Sequence, residues 1–376
     1  MEQIQMVDLK GQYDKIKAEV DTAIQSVIST AAFIKGPAVK DFQEALSKYH
    51  NGSLVQACGN GTDALQLALM ALSLQAGDEI ITPAFTYFAT VEVLLLLGLK
   101  PVFVDVDPHT FNIDVSQIEA AITTKTKAIV PVHLFGQASN MEELMAIAQK
   151  HNLYVIEDNA QSIGGHLTYS DGTIKKTGTI GHIGCTSFFP SKNLGAYGDG
   201  GAVLTNDEAI FQKLKAITNH GQNKKYYHEL VGINSRLDTI QAAILNCKLP
   251  HLDTYNQARR AVAEAYNSGF AENNALQTPL VAEGVFHVYH QYTIKLSEQV
   301  DRTELKQQLA ARGIPTMIYY PLPCHQQQAL LAIYPEQKQF PNAELLSKTV
   351  LSLPIHTEMS AEQIKYIIEQ VNILTQ

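Results

Sequence analysis

Cysteine is scarce in this 376-residue chain. Cys58, Cys185, Cys247 and Cys324 are the four present, and their spacing shows no pairing. That argues against a disulfide framework and for small reduced hydrophobes in a cytoplasmic protein. Cys324 and His325 are adjacent, but no second pair completes a site, so no metal is expected. Concentrated positive charge is also lacking. The net charge is −9, and the basic pieces Lys175-Lys176 and Lys224-Lys225 are short and read as solvated surface. Nucleic acid is therefore not an expected partner, because affinity for its backbone comes from clustered Lys and Arg. No apolar run approaches the roughly 20 residues of a membrane span, and Leu94-Leu95-Leu96-Leu97 falls far short. The start, Met1-Glu2-Gln3-Ile4-Gln5, has neither the basic region nor the apolar stretch of a signal peptide. Internal repeats and low-complexity linkers are absent too.

What is there is a globular composition, 45% hydrophobic and 17% charged, able to bury a large interior. The length points to two lobes. Segments 54–58, 79–81, 101–105, 127–132 and 153–157 read as strands, alternating with helical patterns at 60–74, 87–98, 115–123 and 141–151. This alternation predicts a mainly parallel sheet covered on both faces, completed by strands near 184–189 and 201–205. A helix over 235–248 leads to Leu249-Pro250, where the boundary is placed. Residues 1–250 then form a large domain with an N-terminal helical segment, and residues 251–376 a small C-terminal α/β domain. In the small domain 252–273 is helical, Gln291 to Leu296 is a strand, and 302–312 and 360–374 are helices.

Two strand ends carry the chemistry. Asp158 ends the apolar run Leu153-Tyr154-Val155-Ile156, and Gln161 follows in Glu157-Asp158-Asn159-Ala160-Gln161-Ser162. Lys192 lies in Ser187-Phe188-Phe189-Pro190-Ser191-Lys192-Asn193-Leu194-Gly195, just after a short strand over Thr186 to Phe189. Ligand groups in open α/β sheets gather at such carboxyl ends. Alone, Asp158 reads as a cap of the next helix and Lys192 as a solvated loop residue. As a pair flanked by glycine turns they describe a site for pyridoxal 5'-phosphate (PLP). An amine holds the cofactor aldehyde, and a carboxylate keeps the ring nitrogen protonated so that the ring draws electrons from the substrate carbon.

A phosphate cup precedes them. The strand-like Leu54 to Cys58 is followed by Gly59-Asn60-Gly61-Thr62-Asp63 and then by helical periodicity from Ala64 to Met70. A glycine turn opening a helix offers free N–H groups and the positive end of the macrodipole. The hydroxyls of Thr62 and Ser187 add to it. Gly59-x-Gly61-x-x-Ala64 also matches a dinucleotide fingerprint. That fingerprint expects an acid at the end of the next strand to hold a ribose. Here Glu79-Ile80-Ile81 ends in Thr82-Pro83, with Asp78 and Glu79 at its start, so a single phosphate is favoured.

With these residues in view the chain resembles the DegT/StrS-type nucleotide-sugar aminotransferases. The resemblance runs nearly the whole length, through Phe33-Ile34-Lys35-Gly36-Pro37, Asn60 to Leu65, Pro83 to Thr90, Pro131 to Gln137, Thr186 to Lys192, Tyr197 to Ala202 and Gly232 to Asp238. It implies an α/β, fold-type I PLP-dependent transferase of the aspartate aminotransferase kind, with a mainly parallel sheet in the large domain. It also implies roles. Lys192 is the Schiff-base lysine, Asp158 the pyridinium partner and Gln161 a donor near the ring hydroxyl. Gly61, Thr62 and Ser187 hold the phosphate, and Asn234 joins them from the neighbouring subunit of a homodimer. Tyr87 stacks on the ring, although by itself it reads equally as a half-buried strand residue. The freed Lys192 amine is the base that moves the proton in both halves of a ping-pong reaction, with L-glutamate as donor.

For the acceptor, Asn234-Ser235-Arg236-Leu237-Asp238 looks most like the enzymes acting on UDP-2-acetamido-2-deoxy-3-oxo-glucuronate in bacterial surface-polysaccharide pathways. Arg236 suits a carboxylate or diphosphate through bidentate contacts. By itself it reads as a helix N-terminal residue paired with Asp238. Tyr319 and Tyr320 complete the expected substrate side. Tyr319 stands where relatives often have histidine, and a tyrosine donates one hydrogen bond but no charge. Two other readings stay open, a dTDP-3-keto-6-deoxyhexose aminotransferase and a non-catalytic PLP-binding regulator. A dehydratase variant is disfavoured because it replaces the lysine with histidine.

Overall fold

A computed structural model describes residues 3–336 and 338–375. Seven strands make the central sheet: β1 (Leu54–Cys58), β2 (Glu79–Pro83), β3 (Lys100–Val104), β4 (Thr126–Ile129), β5 (Tyr154–Asp158), β6 (Ile183–Ser187) and β7 (Gly201–Thr205). Their spatial order is β1-β7-β6-β5-β4-β2-β3. Every pair among β2 to β6 is parallel, and β7 alone runs antiparallel to both of its neighbours. The sheet is mainly parallel, as the alternation of elements predicts.

Strand periodicity divides the interior into two layers. Val203 packs with Ile80, Ile156, Ile183 and the helix residues Leu65 and Leu67. Its neighbours Ala202 and Leu204 turn the other way, against Phe42, Leu46, Val55 and Phe188. Helices therefore cover both faces, which is why strands such as β2, β6 and β7 are buried along their whole length. The first helices are α1 (Leu9–Thr30), α2 (Pro37–Tyr49), α3 (Gly61–Ala71) and α4 (Ala89–Leu96).

The C-terminal part carries its own antiparallel sheet, Leu276–Gln277, Tyr292–Leu296 and Val350–Leu353. Its core gathers Val262, Tyr266, Tyr292, Leu305, Leu353 and Ile367, and also Ile4 from the start of the chain. A further cluster joins Cys324, Leu330 and Phe340 to Ala84, Phe85, Val91 and Val132. This cluster brings the segment around Tyr319 and Tyr320 down onto the carboxyl edge of the central sheet.

Several boundaries move from those the sequence pattern predicts. The strand expected over 127–132 stops at Ile129, and Val132 continues only as an isolated bridge to Asp158. Segment 87–98 becomes helical only at Ala89, so Tyr87 lies in the preceding loop and 60% exposed. It is not a half-buried strand residue. The helix expected from 235 begins at Thr239, leaving Asn234 and Arg236 in extended chain before it. Segment 252–273 ends as a helix at Gly269. Strand β6 ends at Ser187 rather than Phe189, which places Lys192 in the turn beyond it. The helices Glu208–Ile217 and Pro341–Thr349 and the strand Val350–Leu353 have no counterpart in the sequence reading. Among the described residues no helix is long and apolar enough to cross a membrane. The four cysteines are free and buried. Cys324 Sγ donates to the Thr86 carbonyl, and His325 Nε2 pairs with Glu344 at 3.2 Å.

Candidate active site

Lys192 sits in a turn that is tied down on every side. Its own N–H donates to the Phe189 carbonyl at 2.8 Å, and Ala196 N–H reaches back to the Phe188 carbonyl. The next residue, Asn193, is buried and donates to Asn256 Oδ1 at 2.7 Å and to the Val288 carbonyl at 2.9 Å. The buried Lys248 donates to the Gly195 carbonyl at 2.6 Å. Gly195 itself is required, since a Cβ there would lie 2.2 Å from the Pro190 carbonyl oxygen. Among the described residues the Lys192 ammonium has no hydrogen bond or ion pair. Desolvation lowers its pKa to about 8, with the negative charge of Asp158 opposing the shift.

Asp158 ends β5 and is buried. Its Oδ2 accepts from Thr90 Oγ at 2.8 Å, and its Oδ1 accepts from the Ala160 N–H at 3.1 Å. Burial pushes its pKa up, while those two donors and the cationic Lys192 pull it back. Lys192 and Asp158 thus sense each other's charge without bonding. Gln161 is oriented without ambiguity. Its Oε1 accepts the Phe135 N–H at 2.7 Å, so its amide nitrogen must point the other way, where it donates to the Tyr320 hydroxyl at 3.0 Å. Tyr320 packs edge-on to Phe85 and within 6.0 Å of Tyr87, and burial drives its phenol pKa far up. His290, also buried, stays neutral because burial and the cations Lys192 and Arg259 all push its pKa well down.

The glycine turn after β1 is built as a cup. Asn60 caps α3, its side chain accepting from the Asp63 N–H, so the chain enters the helix with Gly61 and Thr62 in the first turn. N–H groups at that position have no intrahelical acceptor and lie at the positive end of the helix. Gly61 meets the end of β6 so closely that a Cβ would lie 2.6 Å from Ser187 Cβ and 3.0 Å from its Oγ. Glycine is the residue that lets backbone donors and the Ser187 hydroxyl share one concavity.

These residues fit PLP. A desolvated amine, a buried carboxylate with lone pairs to spare, an oriented amide, a phosphate cup and an exposed aromatic at Tyr87 lie along one sheet edge. When bound, the cofactor would supply an electron-withdrawing ring to a substrate amine held at its aldehyde carbon.

Asn234 and Arg236 do not join this group within one chain. Asn234 is exposed and forms an isolated bridge with Asn219. Arg236 Nη1 donates to Asn219 Oδ1 at 3.4 Å, and among the described residues its Nε has no partner. The expected pairing with Asp238 is not made. Instead Arg236 lines a cleft of about 270 Å³ with Lys35, Lys40 and Lys215. Tyr319 is half-buried beside Tyr320. Sequence reasoning assigned no role to Thr90 or Asn193. The spacing Thr86-x-x-x-Thr90 is the available signal for the first, since it sets two hydroxyls on either side of a helix start.

Comparison with known proteins gives the family. The model of the DegT/DnrJ/EryC1/StrS aminotransferase family matches residues 14–372. The chain is 42% identical to the UDP-2-acetamido-2-deoxy-3-oxo-D-glucuronate aminotransferase of Pseudomonas aeruginosa, over 97% of this chain and 98% of that one. It is 45% identical to a protein of Geobacillus stearothermophilus named pleiotropic regulatory protein, over 98% and 97%. The crystal structure of S. venezuelae DesV in complex with ketimine intermediate superposes with a TM-score of 0.95 at 36% identity, covering 100% of this chain and 99% of that one. Likeness over the full length places this chain in the DegT/DnrJ/EryC1/StrS aminotransferase family, as a transaminase that works with PLP.

Proposed function

We propose that this enzyme transfers the amino group of L-glutamate to the 3-keto group of UDP-2-acetamido-2-deoxy-3-oxo-glucuronate, in the cytoplasm, for bacterial surface-polysaccharide synthesis. The observation that carries the choice of substrate is the 42% identity to the P. aeruginosa enzyme over nearly the whole of both chains. Lys192 is the base that carries the proton between the substrate carbon and the cofactor carbon. A pKa near 8 leaves part of this amine neutral at physiological pH, as a general base requires. Asp158 holds the proton on the ring nitrogen, Gln161 faces the ring hydroxyl, and Tyr87 covers the ring. Gly61, Thr62 and Ser187 receive the phosphate.

Asn234 and Arg236 act across a homodimer, Asn234 at the partner's phosphate and Arg236 at the sugar carboxylate or diphosphate. The exposure of Asn234 and the absence of either residue from the Lys192 group within one chain support this reading, as does the cluster of cations around Arg236. Tyr319 and Tyr320 line the sugar side. The large part, residues 1–250, holds the cofactor, and residues 251–376 form the smaller lobe.

The test is a panel of UDP- and dTDP-linked keto sugars, generated in situ and supplied with the PLP-loaded protein and L-glutamate. Amino-sugar formation should be fastest with the UDP-3-keto glucuronate. Preference for a dTDP-3-keto-6-deoxyhexose moves the substrate assignment. Failure of the cofactor spectrum to respond to glutamate overturns L-glutamate as the donor.

A further inference from the structure

The Asp158 carboxylate is poised by a residue with no established part in the reaction. Thr90 lies in the first turn of α4 and is buried. Its hydroxyl is 2.8 Å from Asp158 Oδ2, 3.2 Å from the Tyr87 carbonyl and 3.4 Å from the hydroxyl of Thr86, itself buried. A threonine has one hydroxyl hydrogen. The shorter contact, to a charged acceptor, takes it. The Thr86 hydroxyl is then placed to donate to Thr90 Oγ, and the chain Thr86 to Thr90 to Asp158 polarises toward the carboxylate.

We propose that Thr90 is a positioning residue for the cofactor-ring carboxylate, holding Asp158 ionised and turned so that its unused lone pairs face the ring nitrogen. The proposal rests on the reading of Asp158 as the partner of that nitrogen. The physical need is plain. A buried carboxyl without donors takes up a proton, and a protonated Asp158 cannot hold the ring nitrogen in its cationic form. Two donors oppose that outcome, Thr90 and the Ala160 N–H. Of these two, Thr90 is the one that comes from a separate element. Because Thr90 is three residues beyond Tyr87, with its N–H donating to the Tyr87 carbonyl at 3.3 Å, the same turn sets both the ring-face residue and the ring-nitrogen partner.

The test uses the PLP-loaded enzyme with Thr90→Val, Thr90→Ser, Thr90→Ala and Asp158→Asn, and Thr90→Val in the Asp158→Asn background. Readouts are the glutamate half-reaction followed by stopped flow, the visible band of the bound cofactor, the PLP dissociation constant and thermal melting. Thr90→Val should keep the fold and slow the half-reaction about ten- to a hundredfold, the size of one hydrogen bond to a charged group. Its cofactor band should move toward that of Asp158→Asn. Thr90→Ser should restore the rate, and Thr90→Ala, which removes the hydroxyl without adding an apolar methyl, should behave like Thr90→Val. In the Asp158→Asn background the valine substitution should add little. An equal loss in both backgrounds, or no rescue by serine, overturns the proposal in favour of simple packing. If Asp158→Asn alone leaves the half-reaction and the band unchanged, the reading of Asp158 fails instead.

Discussion

Glu157 and Asp158 are consecutive on one strand, and their carboxylates have opposite fates. Strand alternation turns them to opposite faces. Glu157 accepts from the N–H groups of Gly178, Ile180 and Gly181 at 2.8, 2.7 and 2.6 Å, and from His133 Nε2 at 2.8 Å. His133 is fixed as the donor because its Nδ1 accepts the Ser139 N–H. Four donors saturate Glu157, whereas two donors leave Asp158 with lone pairs to offer.

The two acids should therefore separate on mutation. Glu157→Gln puts an NH2 where a carboxylate oxygen met donors, and should destabilise the fold by about 2–4 kcal/mol, read by denaturant unfolding. Asp158→Asn should unfold like the wild type, bind PLP, and lose turnover by about two orders of magnitude or more, the scale of a lost electrostatic contribution to catalysis. Unchanged turnover in Asp158→Asn removes its pyridinium role.

Lys192 carries a stability cost that its removal should reveal. In the unfolded chain it holds its proton up to its ordinary pKa of 10.5, and in the folded, cofactor-free protein only up to about 8. Between these values the unfolded state binds more protons, so this contribution to stability rises with pH. Below about 8 the burial penalty is fully present. Lys192→Met should accordingly abolish transamination yet raise apo-protein stability at pH 7 by roughly 1–3 kcal/mol. Thermal melts should show the advantage shrinking by pH 10. A variant less stable than wild type at pH 7 contradicts the desolvation of this amine.

The same shift governs capture of the cofactor. The neutral amine is the nucleophile, so the rate at which apo-enzyme takes up PLP should climb with pH through about 8 and level off above it. Stopped-flow absorbance across pH 6 to 10 reads this directly. A midpoint near 10.5 indicates an ordinary solvated lysine.

Gly61 offers a steric test. Gly61→Ala brings a Cβ to 2.6 Å from Ser187 Cβ, and should weaken PLP binding about tenfold or more. Ser187→Gly removes the opposing carbon, so the double variant should recover affinity relative to Gly61→Ala alone, despite losing the Ser187 hydroxyl. Fluorescence titration of the cofactor distinguishes these outcomes.

The proposed sharing of sites across a homodimer predicts complementation. Mixing inactive Lys192→Ala with an inactive Asn234/Arg236 variant should return activity, because a two-fold dimer gives some heterodimers one site with both halves intact. Demonstrated subunit exchange without recovery places Arg236 in an intrachain structural role.

How far these features could be read from the sequence follows from which are local. Strands β1 and β7 were legible to the residue, because their apolar runs are bounded by glycine and polar turns. The placement of Lys192, Asp158 and Gly61 at or just beyond strand ends was legible, because each ends or follows such a run. The helix Glu208–Ile217 lay in an unassigned stretch, although Asp207 caps it with two backbone contacts. Thr90 was hidden for a different reason. Its partner is 68 residues away, and no periodicity records a contact made only when the start of α4 meets the end of β5. Nor could the pattern tell Glu157 from Asp158, since three of the four donors to Glu157 lie on a loop that folds back at residues 178–181 and the fourth is His133.

The reversal of β7 has an architectural consequence. It lies between β1 and β6, so the two walls of the phosphate cup stand two inter-strand spacings apart, about 9–10 Å, and must close over the end of β7. They can do so because the reversed strand begins there. Gly201 pairs with both Cys58 and Ser187, and a Cβ on it would strike the Asn60 carbonyl at 2.3 Å. The cup is in effect an arch whose span is set by backbone spacing and whose keystone is a missing side chain. Repacking the hydrophobic layers beneath it should change how tightly the protein folds while leaving the grip on phosphate nearly untouched.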